Sequence, residues 1–218
     1  MSALYVFALT GEVAAPFEFD GHRIEFIGSS GLGAAVERVT ARPQVSEATL
    51  RTQHEIVMRI STYVDDLLPA RFGAFVDDRE LEEILAIRRE VIAKALVLVH
   101  GRVQMTIRIR ETATTAGRAD RSDSGAAATT GTAYLESRRA AAVHTVLPGA
   151  ASMAAAVRHL VAAERSQNGQ GRSAASIYHL IERRHVDEYR AALSSVPSSI
   201  ITVSGPWPPF AFAPDLWP

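Results

Sequence analysis

Apolar side chains recur between residues 49 and 68 at close to the 3.6-residue period of an α-helix. The apolar positions are Leu50, Val57, Ile60, Val64, Leu67 and Leu68. Polar residues fill the positions between them, as expected for a solvated opposite face. The pattern predicts an amphipathic helix that begins near Ser46 or Glu47 and ends at Pro69, because proline cannot continue a helix.

A second helical pattern follows, with apolar residues on one face until Gly101, which suits a helix C-terminus. Asp77 precedes Glu80 by three residues, the spacing of a capping box. The apolar positions are Leu81, Ile84, Leu85, Val91, Ile92, Ala95, Leu96 and Val99. We predict one long helix between Asp77 and Gly101.

Three short segments near the N-terminus have strand character: residues 4–9, 23–27 and 32–39. Asp20-Gly21 precedes the second as a turn signal. The third is rich in alanine, so a helix competes with a strand there. A small sheet carrying two helices is the predicted first domain, residues 1–100.

Glycines 28, 31 and 33 follow the second strand in the order GxxGxG. The dinucleotide-binding order is GxGxxG, and no Lys-Ser/Thr pair of a phosphate-binding loop follows. A β-turn is therefore favoured over a nucleotide site.

Residues 102–110 alternate between apolar and polar side chains, as in a half-buried strand. The buried face is predicted to hold Val103, Met105, Ile107 and Ile109. The solvent-exposed face is predicted to hold Arg102, Gln104, Thr106, Arg108 and Arg110. This basic face could dock an anion, but a solvated strand face is favoured.

The chain after residue 110 is predicted to alternate helices with strands. The low-complexity segment 112–132 is predicted to be mobile. The predicted elements are helices at 131–142 and 150–164, interrupted by Pro148-Gly149, a polar loop at 166–173, a strand at 176–181, a helix at 186–193 and a strand at 198–204. Inward-facing residues are predicted at Met153, Val157, Leu160, Val161, Val186, Tyr189 and Leu193. The order after Arg102 indicates an α+β unit close to a ferredoxin-like arrangement.

Composition narrows the possible functions. The 218 residues carry a net charge of −1 and no cysteine, which excludes disulfides, thiolate catalysis and cysteine-bound zinc. A near-neutral charge disfavours nucleic acid as a partner. No apolar run is long enough to cross a bilayer, and the short run at residues 4–9 is expected to be a strand rather than a signal peptide. The lack of cysteine fits a reducing cytoplasm.

Catalytic and metal-binding patterns are largely missing. GxSxG and HExxH do not occur, and His54-Glu55 is only a fragment of the second. A packing or capping role is favoured for His54. His179, Glu182 and His185 form the best metal-like cluster, but their spacing suits neither one helix face nor a zinc knuckle. We therefore expect no enzymatic activity, cofactor or metal.

Arg71-Phe72-Gly73 lies between two carboxylate pairs, Asp65-Asp66 and Asp77-Asp78. The second pair suits the start of a helix, where carboxylates are favoured. The first pair lies at the predicted end of a helix, where carboxylates are disfavoured. We predict that it forms an ion pair with Arg71.

The segment after the last predicted strand is Gly-Pro-Trp-Pro-Pro-Phe-Ala-Phe, residues 205–212. Proline fixes φ and removes backbone donors, so the segment is expected to run extended and not to join a sheet. Packing of Trp207 and Phe210 onto the chain's own fold is favoured. The alternative is a rigid aromatic contact surface for a partner.

Four motifs together resemble the GvpF/GvpL family of gas vesicle proteins, in the same order and over nearly the whole chain. They are Leu50-x-x-x-His54-x-x-Val57, Leu68-Pro69-x-Arg71-Phe72-Gly73, Gly131-x-x-Tyr134-Leu135-x-x-Arg138 and Gly205-Pro206-Trp207-Pro208-Pro209-Phe210. Three positions depart from the family pattern: Phe210 replaces a usual tyrosine, Gln104 a frequent glutamate, and Pro148 interrupts a usually continuous helix.

The resemblance implies a two-domain α+β protein, with a family-specific domain at 1–100 and a ferredoxin-like domain at 101–218 that ends in a tail at 205–218. It implies a non-enzymatic accessory or minor structural role in gas vesicle formation in the cytoplasm. The implied partners are the hydrophobic shell protein and other accessory gas vesicle proteins, and the signature residues are Arg71, Phe72, Gly73, Trp207 and Phe210. The alternatives are a ligand-binding or enzymatic module on the same scaffold and a regulator unrelated to gas vesicles.

Overall fold

A computed structural model describes residues 3–11, 14–29, 31–109, 150–167, 175–195 and 201–217. The described chain is a mixed α+β structure with two sheets and five helices. The predicted α+β class is confirmed. No helix in these ranges is both long and apolar enough to cross a membrane.

The first sheet is antiparallel, in the order β2-β3-β4-β1-β5, and β6 also pairs with β1. Its strands are β1 Ala3–Thr10, β2 Phe17–Phe19, β3 His22–Ser29, β4 Leu32–Val39, β5 Leu67–Pro69 and β6 Phe75–Val76. Strand β1 is central and covered on both faces, so its sequence is a nearly continuous apolar run. The three predicted strands are confirmed, and residues 32–39 form a strand rather than a helix.

Both predicted turns connect strands of this sheet. Asp20 and Gly21 have φ of 48° and 79° between β2 and β3, the left-handed pair that a tight hairpin requires. Gly28 pairs with Gly33 across the next hairpin, where a Cβ at Gly28 would lie 2.2 Å from the carbonyl oxygen of Leu32. Close backbone approach therefore explains this glycine.

Helix α1, Glu47–Ile60, covers one face of the sheet. Ser46 caps it through a capping box with Thr49. The helix ends eight residues earlier than predicted, and Leu67–Pro69 pairs with β1 instead. The prediction of helix through residue 68 is wrong because burial against a sheet produces apolar positions that mimic helical spacing.

The opposite face of the sheet is covered by α2, Asp78–Ile87, and α3, Arg89–Val99. The predicted capping box of Asp77 and Glu80 is confirmed. The prediction of one long helix is wrong, because Arg88 departs from helical geometry at φ −97° and ψ 9°. Val91, predicted to be buried, is 48% exposed.

The second sheet is antiparallel in the order β10-β7-β9-β8. Its strands are β7 Arg102–Ile109, β8 Val161–Gln167, β9 Ala175–Glu182 and β10 Ile201–Trp207. Two helices, α4 Ala150–Val157 and α5 Val186–Ser194, pack on one face. The strand predicted at 176–181 and the helix predicted at 186–193 are confirmed, and Val186, Tyr189 and Leu193 are buried.

The helix predicted at 150–164 ends early. After Val157 a single 3-10 turn leads into β8, so residues 161–164 are a strand, and residues 166–167 continue it rather than starting a loop. Met153, Val157 and Leu160 are buried as predicted. The predictions for residues 112–132, 131–142, 148–149, 168–173 and 198–200 lie outside the described residues, as does Arg110.

The centre of the polar face of β7 is buried, contrary to prediction, while Arg108 on the same face is exposed as predicted. Gln104 and Thr106 are 4% and 5% exposed, and Gln104 pairs with Leu180 on β9. Leu180 belongs to the apolar cluster formed by the first sheet with α2 and α3. The second sheet is therefore sandwiched between its own helices and the first half of the chain, an arrangement that strand alternation does not reveal.

Candidate protein-interaction surface

Residues 208–217, here called the tail segment, cross back over the first half of the chain. Phe212 and Trp217 are 2% and 8% exposed and lie in the apolar cluster shared with the first sheet, α2, α3 and Leu180. The Ala211 N–H donates a hydrogen bond to Gln104 Oε1 (2.8 Å). Neither Phe212 nor Trp217 was singled out from sequence, although large aromatics in a proline-rich terminus indicate an anchored segment.

The predicted break between the last strand and the following proline-rich segment is wrong. Strand β10 continues through Trp207, which pairs with Gln104 after an irregularity in the ladder between Ser204 and Trp207. Pro206 lies within this irregularity. Proline is tolerated in sheets at bulges and edges, where the ladder does not need its missing donor.

Arg71 contacts the tail segment rather than the Asp65-Asp66 pair. Its Nη2 donates to the carbonyl oxygen of Trp217 (2.8 Å), and Nη1 lies 3.7 Å from the Asp215 carboxylate. Asp66 instead contacts His100. The predicted ion pair is wrong because Arg71 and Trp217 are 146 positions apart and meet only through the tertiary fold.

The Arg71-Phe72-Gly73 triplet forms a turn between β5 and β6, with the Ala74 N–H donating to the Arg71 carbonyl (3.3 Å) and Gly73 at φ 82°. The Gly73 N–H donates to the Tyr5 hydroxyl (3.1 Å), and that hydroxyl donates to Gln53 on α1. Phe72 is half-buried, edge-on to the Tyr5 ring.

One titratable group in this buried network, the Tyr5 hydroxyl, has a shifted pKa. Burial raises the pKa of Tyr5, and the Gly73 N–H and Arg42 partly oppose the rise. Neutral Tyr5 therefore links the turn to both β1 and α1.

The ring of His54 on α1 contacts two aromatic rings, that of Trp207 at the end of β10 and that of Phe210 just after it. Its ring centroid lies 5.5 Å from Trp207 in an edge-on contact and 6.1 Å from Phe210 in a stacked one. Leu50, one helical turn before His54, is 46% exposed, and Phe210 is 38% exposed. We call Leu50, His54, Trp207 and Phe210 the aromatic patch; it joins two motifs far apart in sequence.

The cleft beside this patch is small. It is lined by Met58, Val64, Trp207 and neighbouring residues and encloses about 150 Å³. Small-molecule sites usually enclose roughly 300–1,000 Å³. The cleft is therefore below the usual size of a small-molecule site.

His179, Glu182 and His185, the most metal-like group in the sequence, are not brought together as ligands. His179 bonds Tyr189 through Nδ1 (2.7 Å) and Glu164 through Nε2 (3.1 Å), rather than Glu182 or His185. In the described part of the chain, no three histidine or carboxylate side chains are grouped to hold a metal ion.

The pKa values of His179 and Tyr189 are nevertheless shifted from their ordinary values. Burial lowers the pKa of His179, although Glu164 opposes the shift, and burial raises the pKa of Tyr189. The pair is therefore neutral near pH 7.

This buried histidine predicts a pH dependence of stability. Its pKa in the folded state lies below the ordinary value of 6.5, so the unfolded chain binds more protons in the window between the two values. Stability from this group is present above about pH 6.5 and falls as pH drops through that window. Denaturant unfolding should show a weaker acid-side loss for His179→Gln than for wild type.

The control for this experiment is His159→Gln, which changes an exposed histidine beside Glu188. It should keep the wild-type pH profile. Equal profiles for wild type and His179→Gln would contradict the prediction.

Comparison with known proteins first defines the structural class. The fold matches a crystal structure of gas vesicle protein GvpF from Anabaena sp. PCC7120, with TM-score 0.73, 12% identity, and coverage of 98% of this chain and 97% of that one. It also matches a crystal structure of GvpF from Microcystis aeruginosa, with TM-score 0.73, 11% identity, and coverage of 97% and 99%. No curated protein sequence matches.

A sequence model of the gas vesicle synthesis protein GvpL/GvpF family matches residues 3–214. The chain therefore belongs to the GvpL/GvpF family, and the resemblance found in its motifs is confirmed.

Proposed function

We propose that this chain is an accessory or minor structural component of gas vesicle formation, acting in the cytoplasm and at the gas vesicle. It would bind the hydrophobic shell protein, other accessory gas vesicle proteins, or both, without catalysis or a cofactor. Family membership over residues 3–214 carries this proposal. A shell subunit that assembles through apolar surface needs a partner that can cover that surface before assembly.

The proposed domain division is 1–100 and 101–218, the second being ferredoxin-like. Support comes from the β7, α4, β8, β9, α5, β10 sequence of described elements and from the sheet order β10-β7-β9-β8. Both correspond to a βαββαβ unit with its first and third strands at the centre. The tail segment belongs to the second unit by sequence but packs into the first.

We assign partner contact to the aromatic patch, with Phe210 and Trp207 as the aromatic members. Exposed aromatics on a rigid frame lose little conformational entropy when they bind. Phe210 lies two residues before the anchored Phe212, and its ring stacks on His54. Arg71, Phe72 and Gly73 contribute indirectly, because Arg71 holds the tail segment and Gly73 shapes the turn.

A pull-down with purified shell protein and each accessory gas vesicle protein tests the proposal. The full chain should retain at least one of them. Phe210→Ser should weaken that association by about tenfold or more if Phe210 is an anchor. The matched control is Val45→Ser, which removes an exposed apolar side chain outside the patch.

The possible results distinguish the binding function of the chain from the surface that makes the contact. No association of the wild-type chain with any gas vesicle protein would refute the binding function. Equal retention of the wild-type and Phe210→Ser chains would move the contact away from the aromatic patch while leaving the role intact.

A further inference from the structure

The cleft beside the aromatic patch carries two arginines. Arg102 at the start of β7 and Arg183, which follows β9, both line this cleft with Trp207, and both also line an adjoining groove. Arg102 pairs with Glu182 across the two strands. The N–H of Arg183, the next residue, donates to the Gly101 carbonyl oxygen (3.1 Å). The backbone therefore holds the two arginines side by side.

The described part of the chain provides no carboxylate in ion-pair contact with either guanidinium group. Arg102 is half-buried; its Nη1 donates to the Leu98 carbonyl oxygen, and its Nε is buried without a hydrogen-bond partner in the same ranges. Arg183 Nη2 reaches only the Ser61 carbonyl oxygen, at 3.5 Å. Buried polar atoms are nearly always hydrogen-bonded, and partly buried charges are usually paired. Two neighbouring cations without a counter-charge indicate a place for an anionic group.

The carboxylates nearby do not supply that counter-charge. Asp65 also lines the cleft, but its side chain is exposed and forms no ion pair within the described residues. Asp66 contacts His100, and the Glu182 carboxylate lies 2.7 Å from Arg184 Nε. The cleft thus keeps an excess of positive charge, which favours a ligand of negative charge.

The rest of the cleft is mainly apolar, with Met58 and Pro206 beside Trp207. Its volume of about 150 Å³ suits a single side chain rather than a whole small molecule. Trp207 belongs to both the cleft and the aromatic patch. A bound segment that reaches both therefore carries its acidic and apolar side chains within a few residues of each other. Guanidinium groups bind carboxylates well, because their planar donors match the two carboxylate oxygens.

We propose that the aromatic patch and this cleft together bind a protein segment in which an aspartate or glutamate lies within a few residues of an apolar side chain. Arg102 and Arg183 bind the carboxylate, and the apolar side chain packs on Trp207 and Phe210. This inference rests on the proposed function for the location of the contact and adds the chemistry of the partner. A purely apolar partner would desolvate the two arginines without a counter-charge, which costs free energy.

Short peptides test this chemistry on the full chain without a gas vesicle protein. The probes are the acetylated and amidated peptides Glu-Glu-Leu-Phe and Gln-Gln-Leu-Phe, which match in shape and differ in charge. The readout is the indole N–H signal of Trp207 in NMR spectra, with the signal of the buried Trp217 as internal reference. The Glu peptide should bind with a dissociation constant on the order of 1 mM, and the Gln peptide at least about fivefold more weakly.

Substitutions assign the effect to the cleft. Arg183→Gln changes an exposed side chain and should weaken binding of the Glu peptide at least about fivefold. Asp65→Asn removes the opposing charge and should strengthen binding about twofold. The matched control is Arg79→Gln on α2, which changes the net charge equally at an exposed arginine paired with Glu83. It should leave binding unchanged.

Equal binding of the two peptides would overturn the proposal. So would equal weakening by Arg183→Gln and Arg79→Gln, or no saturable shift of the Trp207 signal up to about 20 mM peptide. Failure of the proposed function is a separate result, seen when the pull-down retains no gas vesicle protein. If a gas vesicle protein is retained equally by wild type and Arg183→Gln, this inference is wrong and the proposed function stands.

Discussion

Replacing Phe212 with alanine should lower the free energy of unfolding by about 3–5 kcal/mol, the usual range for a buried phenylalanine. Phe212 is almost fully buried in the cluster that contains residues of both sheets. The Arg165 guanidinium lies over its ring at 5.5 Å, so the substitution also removes a cation–π contact. Urea unfolding followed by tryptophan fluorescence measures the change.

Phe210 provides a matched control two residues away, in the same short 3-10 segment. Its ring is partly exposed, so Phe210→Ala should cost about 1 kcal/mol or less. Similar losses for the two variants would show that burial in the shared cluster does not set the stability of the tail segment. The pair therefore separates anchoring, at Phe212, from the proposed partner contact, at Phe210.

Gly205→Ala should destabilise the protein by roughly 2–5 kcal/mol, combining backbone strain with a steric overlap. Gly205 has φ of 119°, which side-chain-bearing residues rarely adopt. A Cβ there would lie 2.7 Å from the carbonyl oxygen of Gln104, a backbone atom of the adjacent strand. The glycine thus permits β10 and β7 to approach where the aromatic patch begins.

The control is Gly31→Ala, at a hairpin glycine with φ of 79° where an added Cβ would meet no atom within 4 Å. It carries the conformational strain without the overlap, so a loss of about 1 kcal/mol is expected. Equal losses at the two glycines, measured by denaturant unfolding, would remove the steric part of the explanation.

The tail segment holds anchoring residues and the proposed contact residue close together in the chain. Phe212 and Trp217 complete a core, while Phe210 faces outward beside His54 and Trp207. Because the proposed contact surface depends on a packed segment, loss of the anchor should also abolish it. Binding experiments therefore need the Phe210 substitution, which spares the core, rather than removal of the segment.

Local patterns predicted the elements whose signals are themselves local. The apolar run of β1, the hairpin at Asp20-Gly21, the capping box at Asp77 and the inward face of α5 all agree with the structure. Each depends on contacts between residues a few positions apart, or on the period of one element. The family resemblance also came from sequence, through short motifs in a fixed order, and the match over residues 3–214 confirms it.

Only the tertiary structure decided which faces are covered and which distant residues meet. Residues Leu67–Pro69 pair with β1 instead of extending helix α1, and Gln104 on the polar face of β7 is buried where the Ala211 N–H of the tail segment donates to it. Arg71 finds its partner at Trp217, across 146 positions. The spacing of apolar residues indicates that a side chain is buried, but it does not indicate which residues the side chain packs against. Burial partners, unlike helix caps and turns, are set by the packing of the whole chain.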